Sequence, residues 1–235
     1  MGKNKLKKFN ELNHFDRVFQ PPLEEVIDRD HTLKGTWNSE VFKNDSPIVL
    51  ELGCGKGEYT VGLAVLNPNR NYIGIDIKGA RIWKGAKTAN ESELKNVAFL
   101  RTRIELIQSF FQPGEIDEIW ITFPDPQLKK RRNKKRLSGK TFLNLYRNLL
   151  KDNGLIHLKT DNDVLYNYTL ELATYNKLEI LNHTTDLYAS DFLDQVLGIR
   201  TYYENQFLEE GIKIKYLSFR LPSGKVISEF DHEEE

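Results

Sequence analysis

The chain has 235 residues, of which 39% are hydrophobic and 11% aromatic, a composition typical of a globular protein of one or two domains. Its single cysteine, Cys54, excludes an intramolecular disulfide and a cysteine-based zinc site. Together with the lack of a signal peptide, it predicts a reducing, cytoplasmic compartment. No apolar run approaches membrane-spanning length, so we expect no membrane partner.

The distribution of charge is more informative than the net charge, which is zero because 34 basic residues balance 34 acidic ones. Residues 129–140 hold eight basic residues and no acidic one, and residues 1–8 hold four lysines and no acid. The rest of the chain carries 22 basic and 34 acidic residues, a balance of −12. We therefore expect an acidic body that engages a polyanionic partner through local basic patches.

In chain order, residues 1–46 lack strong periodicity, which predicts an N-terminal basic arm and cap ahead of one domain at 47–235. From residue 47, apolar strands alternate with amphipathic helices. The predicted strands are 48–52, 71–76, 96–101, 116–123, 154–160, 178–184 and 211–221. The predicted helices are 58–66, 79–94, 104–111, 138–151 and 163–175.

This alternation predicts the fold class. Strand and helix alternate five times, at connection lengths that suit crossover helices between parallel strands. We expect an α/β fold with a doubly wound, mainly parallel, Rossmann-like sheet of seven strands. The last two predicted strands have no full helix expected between them and should form an antiparallel edge.

A glycine loop follows the first predicted strand, in the place where open α/β sheets bind ligands. Its sequence is ELGCGKG (51–57), with glycines at Gly53, Gly55 and Gly57. The spacing GxGxG differs from the dinucleotide fingerprint GxGxxG, and the loop lacks the GK[ST] of a P-loop. The loop therefore predicts a nucleotide-like ligand of another kind.

Two carboxylates flank this loop and indicate which ligand it takes. Glu51 lies two residues before the first glycine, and Asp76 ends the second strand, where it can reach a ribose. A carboxylate at Glu51 would repel a pyrophosphate, whereas S-adenosylmethionine has no phosphate and carries an amino group and a sulfonium. We therefore favour a methyl donor. The alternative is that Glu51 caps the next helix and the glycines only make a tight turn.

The fourth predicted strand ends in TFPDP (122–126), and Asp125 lies between two prolines that restrict the backbone on both sides. In this fold the end of that strand faces the donor's methyl group, so Asp125 is a candidate for the reaction centre. The alternative is an ordinary proline-rich strand exit with a helix-capping aspartate.

The basic run, defined here as KKRRNKKR (129–136), begins four residues after Asp125. Its density of lysine and arginine is typical of phosphate contacts, and its position beside the expected reaction centre favours RNA or DNA binding. The residues alone leave open a solvated charged face and a nuclear localisation signal.

Metal and nucleophile chemistry have little support in the sequence. The five histidines show no metal-ligand spacing, so we expect no metal. His157 lies inside a predicted strand and is interpreted as a structural histidine with satisfied hydrogen bonds. Cys54 lies in the glycine loop and is interpreted as a small loop residue.

These motifs together resemble the bacterial tRNA (guanine-N7)-methyltransferase family, which has the class I S-adenosylmethionine-dependent fold. The resemblance covers the chain from Phe15 to Leu221. It rests on VLELGCGKGEYT, YIGIDI, ITFPDPQLKKRRNKKRL, HLKTD and TYYENQFLEEGIKIKYLSF. The FPDP element followed by basic residues is specific to the family, and the TxxE element supports the resemblance independently.

The resemblance implies methyl transfer from S-adenosylmethionine to N7 of a guanine in the variable loop of tRNA, with S-adenosylhomocysteine as product. It implies donor contacts at Glu51, Asp76 and the glycine loop, and places Asp125 at the reaction centre as a catalytic and donor-binding residue. The implied substrate contacts are Lys129, Arg131, Arg132, Lys134, Lys135, Arg136, Asp161, Thr201, Tyr202, Tyr203 and Glu204.

Two positions depart from the family pattern. The family usually has Trp after FPDP, where this chain has Gln127, so a stacking or packing contact changes there. The family often has an acidic residue near the donor adenine, where this chain has Arg103. A donor contact at Arg103 would then come from its backbone or its side chain.

The implied chemistry agrees with the residues. Guanine N7 has a lone pair and no proton to lose, so the reaction needs alignment rather than a general base. Two other functions stay open: methylation of an exocyclic base amine of RNA or DNA, and RNA binding without catalysis on the same fold. No obligate protein partner is expected.

Overall fold

The computed structural model describes residues 2–230, which form one eight-stranded sheet covered by helices on both faces. The strands are β1 (Val18–Phe19), β2 (Ile48–Leu52), β3 (Asn71–Asp76), β4 (Val97–Arg101), β5 (Ile116–Thr122), β6 (Leu150–Thr160), β7 (Ile180–Thr184) and β8 (Lys215–Leu221). The α-helices are α1 (Gly2–Leu12), α2 (Glu58–Leu66), α3 (Gly79–Glu91), α4 (Lys140–Leu149), α5 (Asp163–Tyr175) and α6 (Tyr202–Glu209).

The strand order is β1-β4-β3-β2-β5-β6-β8-β7. All pairings from β1 to β6 are parallel, and β8 is antiparallel to both β6 and β7. The predicted fold class is therefore confirmed. The sheet has one strand more than the seven expected, because the two-residue β1 pairs with β4 at the edge. The last strand in the chain lies inside the sheet, between β6 and β7.

The central strands are apolar on both faces because helices cover both faces. Every residue of β2 and β3 is buried. Helices α4 and α5 pack on one face, together with the segment around Trp37, and helices α1, α2 and α3 pack on the other face with residues 187–199. The carboxyl ends of β2, β3 and β5 consequently meet at one edge, as ligand binding in this fold class requires.

The N-terminal segment is built into this core. Leu12 of α1 is fully buried, and the indole of Trp83 on α3 donates to Glu11 Oε2 at 2.6 Å. Trp37 is also fully buried and donates from Nε1 to the carbonyl of Phe110 at 2.8 Å. Residues before 47 thus share the core of the sheet, and the division at residue 46 stays a prediction.

Two helix predictions differ from the structure. The segment predicted as a helix at 104–111 is a 3-10 helix, Ile104–Ser109, rather than an α-helix. The expectation of no full helix between the last two strands is wrong, because α6 lies there. Its start, Thr201 to Glu204, is a capping box in which each side chain bonds the other's backbone. None of the described helices is long and apolar enough to span a membrane.

Candidate active site

The glycine loop makes a turn that only glycine adopts easily. Gly53, Gly55 and Gly57 have φ values of +74°, +54° and +69°, in the left-handed region. At Gly57 there is also no room for a side chain, since a Cβ would lie 2.6 Å from Cε1 of Phe99. The loop therefore packs against β4 while it leads from β2 into α2.

The backbone N–H groups of the loop are largely used inside the protein. Those of Gly53 and Cys54 donate to the carbonyl of Ile75 at 2.8 and 3.0 Å. That of Gly55 donates to Asp76 Oδ2 at 3.0 Å. These three N–H groups point at the neighbouring strand end, so they do not form the cradle of free amides that binds a phosphate. The loop geometry agrees with a ligand that carries no phosphate.

Glu51 lies beneath the loop and is 2% exposed. Its Oε1 accepts from the Thr122 hydroxyl at 2.6 Å, and its Oε2 accepts from both the backbone N–H and the hydroxyl of Thr60. Thr60 N belongs to the first turn of α2, so Glu51 does cap that helix, as the alternative interpretation expected. Burial raises the pKa of Glu51 to about 7, against the lowering effect of these hydrogen bonds. A donor contact by Glu51 stays a prediction.

Asp76 ends β3 at the rim of a cavity of about 470 Å³. Its Oδ2 holds the loop at Gly55, and its Oδ1 accepts from the N–H of Lys78 at 2.7 Å. The cavity is also lined by Gly53 and by Arg103, whose side chain is exposed. The structure thus brings Asp76, Gly53 and Arg103 to one cavity, and donor contacts at these residues stay a prediction.

Asp125 is exposed on a tightly turned loop after β5. Phe123 and Gln127, two residues before and after it, both have positive φ values, +48° and +49°. Such backbone conformations are costly outside glycine and concentrate at functional sites. Asp125 Oδ1 accepts from the Gln127 N–H at 3.0 Å, which fixes the carboxylate against its own loop. Among the described residues this bond stays within the loop, and the role of Asp125 at the reaction centre stays a prediction.

Gln127, which stands where the family usually has Trp, also lines the cavity. Its buried Oε1 has no hydrogen-bond partner in the described part of the chain. An unsatisfied buried acceptor is costly, and a ligand that donates a hydrogen bond there would remove the cost.

The basic run forms a 3-10 helix, Lys130–Lys135, beside the cavity. Five of its cations have exposed side chains: Lys129, Arg131, Arg132, Lys134 and Lys135. Lys135 itself lines the cavity. The side chain of Lys130 lies outside the described part of the structure, as do those of two of the four lysines near the N-terminus, Lys3 and Lys5.

The structure contradicts the sequence-based prediction for Arg136. It was expected to face RNA, but it is only 5% exposed. Its Nε donates to the carbonyl of Pro126 at 3.1 Å, and its guanidinium lies 4.3 Å from the ring centroid of Tyr168. Arg136 is therefore a structural residue that ties the Asp125 loop to α5.

Glu204 corrects a second expectation, since it was assigned to the target guanosine but is fully buried. Its partners are Lys159, at 2.7 Å, and the hydroxyl of Tyr188, at 2.8 Å. Tyr202 and Tyr203, by contrast, are 47% and 43% exposed at the start of α6. A direct RNA contact is therefore compatible with the two tyrosines and not with Glu204.

The start of α6 lies against the glycine loop. The ammonium of Lys56 lies 3.3 Å from the ring centroid of Tyr202, and the Tyr202 N–H donates to Glu58 Oε2 at 2.8 Å. Thr201 caps the helix at this place. The substrate-contact segment predicted from TYYE thus borders the predicted donor site directly.

Asp161 follows β6 and is half-buried, and burial raises the pKa of its carboxyl. Its carbonyl oxygen accepts from Nζ of Lys215 at 2.9 Å. His157, on the same strand, stacks on Trp120 at a centroid distance of 3.9 Å and bonds the Tyr216 hydroxyl through Nδ1 at 2.7 Å. Its other ring nitrogen, Nε2, is buried and forms no hydrogen bond in the described part of the chain, although it lies 3.2 Å from Glu118 Oε1. The packing of His157 agrees with a structural role, whereas the predicted satisfaction of its hydrogen bonds holds for Nδ1 alone.

Sequence reasoning missed three residues of this site: Thr60, Thr122 and Lys159. Both threonines bond Glu51, and Lys159 bonds Glu204. The sequence could have pointed to Lys159, because a lysine inside the apolar strand that ends in HLKTD needs a buried partner. No sequence pattern could have pointed to the two threonines, because nothing in the residues around them shows that a carboxylate lies beside them.

The sheet, the glycine loop and the acidic residue at the end of β3 define a methyltransferase of the Rossmann-like class. A family model described as "Putative methyltransferase" matches residues 45–217. The solved structure of the 16S rRNA methyltransferase KamB matches with a TM-score of 0.61 at 13% identity, over 82% of this chain and 95% of that one. At that identity the likeness shows the fold alone.

Full-length relatives define the family further. A protein of Christiangramia forsetii named tRNA (guanine-N(7)-)-methyltransferase is 54% identical over 94% of this chain and 99% of its own length. A relative of the same name from Bacteroides thetaiotaomicron is 50% identical over 99% of this chain and 92% of its own. The chain belongs to the tRNA (guanine-N(7)-)-methyltransferase family.

Proposed function

We propose that the protein transfers the methyl group of S-adenosylmethionine to N7 of a guanine in the variable loop of tRNA. One observation carries the proposal: the predicted donor site and the basic run share a cavity. Lys135 of the basic run and Gln127 just ahead of it line the same cavity as Gly53 and Asp76. An RNA whose phosphates meet the basic run therefore has its bases beside the donor site.

The cavity suits S-adenosylmethionine on three grounds. Its volume of about 470 Å³ is within the usual range for small-molecule sites. The loop amides that a phosphate would need are already bonded within the protein. The carboxylate of Asp76 and the unsatisfied Oε1 of Gln127 supply acceptors for a ligand rich in hydrogen-bond donors. Asp76, the glycine loop and Arg103 would hold the donor, which when bound supplies the methyl group.

The residues at the end of β5 are arranged for alignment and charge stabilisation. Guanine N7 gives up no proton on methylation, so the protein needs no general base there. Positive charge develops on the purine as the methyl group arrives. Asp125, fixed by its bond to the Gln127 N–H, would hold the purine and stabilise that charge. Preorganisation matters here because a carboxylate that must reorient loses much of its electrostatic effect.

RNA binding would draw on two groups of side chains. The exposed cations of the basic run would meet phosphates, which position the RNA without reading its sequence. Tyr202 and Tyr203 are exposed beside the glycine loop and would stack on the target base or its neighbour. Asp161 would accept a hydrogen bond from the target guanosine. Because its substrate is tRNA and its relatives are bacterial, we place the enzyme in the cytoplasm.

Transfer of a labelled methyl group to unmodified tRNA tests the function. The protein is incubated with tritiated S-adenosylmethionine and transcribed tRNA, and the digested RNA is separated into nucleosides. We expect the label in 7-methylguanosine, and almost none with the Asp125→Asn variant as control. Label in an N-methylated exocyclic amine would make the protein a different base methyltransferase, and tRNA binding without transfer would make it a binding protein.

A further inference from the structure

Lys159 is a buried cation that the proposed chemistry does not use. It lies on β6 two residues before Asp161, and its side chain is fully buried. Burial lowers the pKa of Lys159, and the nearby carboxylate of Glu204 opposes that shift. A lysine in the interior is rare because its ammonium loses the solvation of water. A lysine at this place therefore needs neighbouring groups that stabilise its charge.

The ammonium of Lys159 is fully satisfied by one segment of the chain. It forms an ion pair with Glu204 at 2.7 Å and donates to the carbonyls of Leu197 and Ile199 at 2.8 and 2.9 Å. An ammonium has three hydrogens, and these three acceptors account for all of them. All three belong to residues 197–204, so a single side chain of β6 holds that entire segment.

Glu204 extends the same arrangement to the start of α6. Its carboxylate accepts from the Thr201 N–H in the capping box, and from the hydroxyl of Tyr188. The segment is also held from the other side, because the hydroxyl of Tyr59 on α2 donates to the carbonyl of Val196 at 2.9 Å. The backbone between Val196 and Glu204 is therefore fixed between β6 and α2.

The consequence of this arrangement appears at Tyr202 and Tyr203. They are the exposed residues between Thr201 and Glu204, and the ring of Tyr202 lies over Lys56 of the glycine loop. The buried ion pair thus holds the residue that directly follows the two tyrosines, while Tyr202 contacts the glycine loop. Stability alone does not explain the pair, because apolar side chains in such places are often as stabilising or more so.

We infer that Lys159 and Glu204 are positioning residues for methyl transfer, which hold the Tyr202–Tyr203 surface at a fixed distance from the glycine loop without touching RNA. The inference rests on the proposed function, since it assigns the two tyrosines to the target nucleotide. It replaces a substrate contact at Glu204 with an internal role. The same pair gives a reason for a lysine in HLKTD and a glutamate in TxxE, two elements that are far apart in the chain.

The inference predicts a loss of turnover rather than of binding. In Lys159→Met the length of the side chain is kept and the three hydrogen bonds are lost. A misplacement of about 1 Å costs about 10²-fold in rate, so kcat should fall by about that factor. The KM values for tRNA and donor should change by less than about threefold, because the basic run and the cavity are untouched. Glu204→Gln, which can still cap α6, should lower kcat in the same direction by a smaller factor.

Glu118→Gln is the matched control, since Glu118 is a buried carboxylate that pairs with Arg70 away from the donor cavity. All three variants should have a lowered melting temperature, but only those at Lys159 and Glu204 should lose turnover. If Lys159→Met and Glu204→Gln both had the same kcat as Glu118→Gln, the inference would be overturned. So would a rise in the KM for tRNA with kcat unchanged, which would make Glu204 an RNA-binding residue.

Hydrogen exchange provides a readout that does not depend on the reaction. The amides of residues 196–204 should exchange faster in Lys159→Met and Glu204→Gln than in Glu118→Gln, while those of β2 and β3 stay protected. Unchanged protection at 196–204 in both variants would overturn the inference even if activity fell. If the wild-type protein methylated no tRNA, the proposed function would fail, and hydrogen exchange would still decide whether the ion pair holds the segment.

Discussion

The buried carboxyl of Glu51 makes the stability of the protein depend on pH in a direction opposite to that of most acidic residues. Its pKa rises from 4.5 to about 7 on folding, chiefly through burial. The folded state therefore keeps a proton that the unfolded state releases. The contribution of Glu51 to stability is undiminished below pH 4.5 and declines as the pH rises to about 7.

Glu51→Gln should remove this decline, because glutamine mimics the protonated carboxyl. Its carbonyl can accept from the Thr60 N–H, and its amide can donate to the Thr122 hydroxyl. At about 1.4 kcal/mol per pKa unit, the shift corresponds to about 3 kcal/mol over the full titration. Between pH 5 and pH 8 the variant should therefore gain about 2 to 3 kcal/mol on the wild type. The gain equals roughly 4 to 12 °C in melting temperature.

Urea or thermal unfolding at half-unit steps from pH 5 to pH 8 measures the difference between the two proteins. Glu171→Gln, which changes an exposed carboxylate on α5, serves as the control and should follow the wild type at every pH. Parallel curves for wild type and Glu51→Gln would show that Glu51 does not titrate in this range, and the account of its burial would then be wrong.

Three further predictions concern the proposed function. Asp125→Asn keeps the hydrogen bond to Gln127 but loses the charge. The kcat should therefore fall by about 10²–10³ without a change in fold. Near-normal turnover of a folded variant would remove Asp125 from the reaction centre. Asp76→Ala frees the Gly55 N–H and should weaken donor binding in calorimetry while tRNA binding on filters stays the same; equal donor affinity would refute the cavity assignment. Alanine at the four exposed cations from Arg131 to Lys135 should flatten the slope of log tRNA affinity against log salt by up to roughly three units, whereas an unchanged slope would make the run a solvated surface.

The local sequence pattern was sufficient to predict much of the fold of this molecule. The alternation of strands and helices predicted the parallel sheet, and two residues singled out in the sequence, Gly53 and Asp76, line the cavity. The two prolines around Asp125 predicted a restricted backbone at that residue. These features depend on residues close together in the chain, so their spacing carries the information.

The tertiary structure decided the environment of the charged groups. Glu51 lies 71 residues from Thr122 in the chain, yet their side chains share a hydrogen bond. Arg136 belongs to a run whose other described cations are exposed, but the ring of Tyr168 covers it. Glu204 is part of a motif expected at the surface and is held instead by Lys159.

In each case a charged side chain is buried because a distant segment packs over it and supplies its partner. The free energy of burying a charge depends on that partner, and the partner is set by the assembly of the whole sheet rather than by the neighbouring residues in the chain.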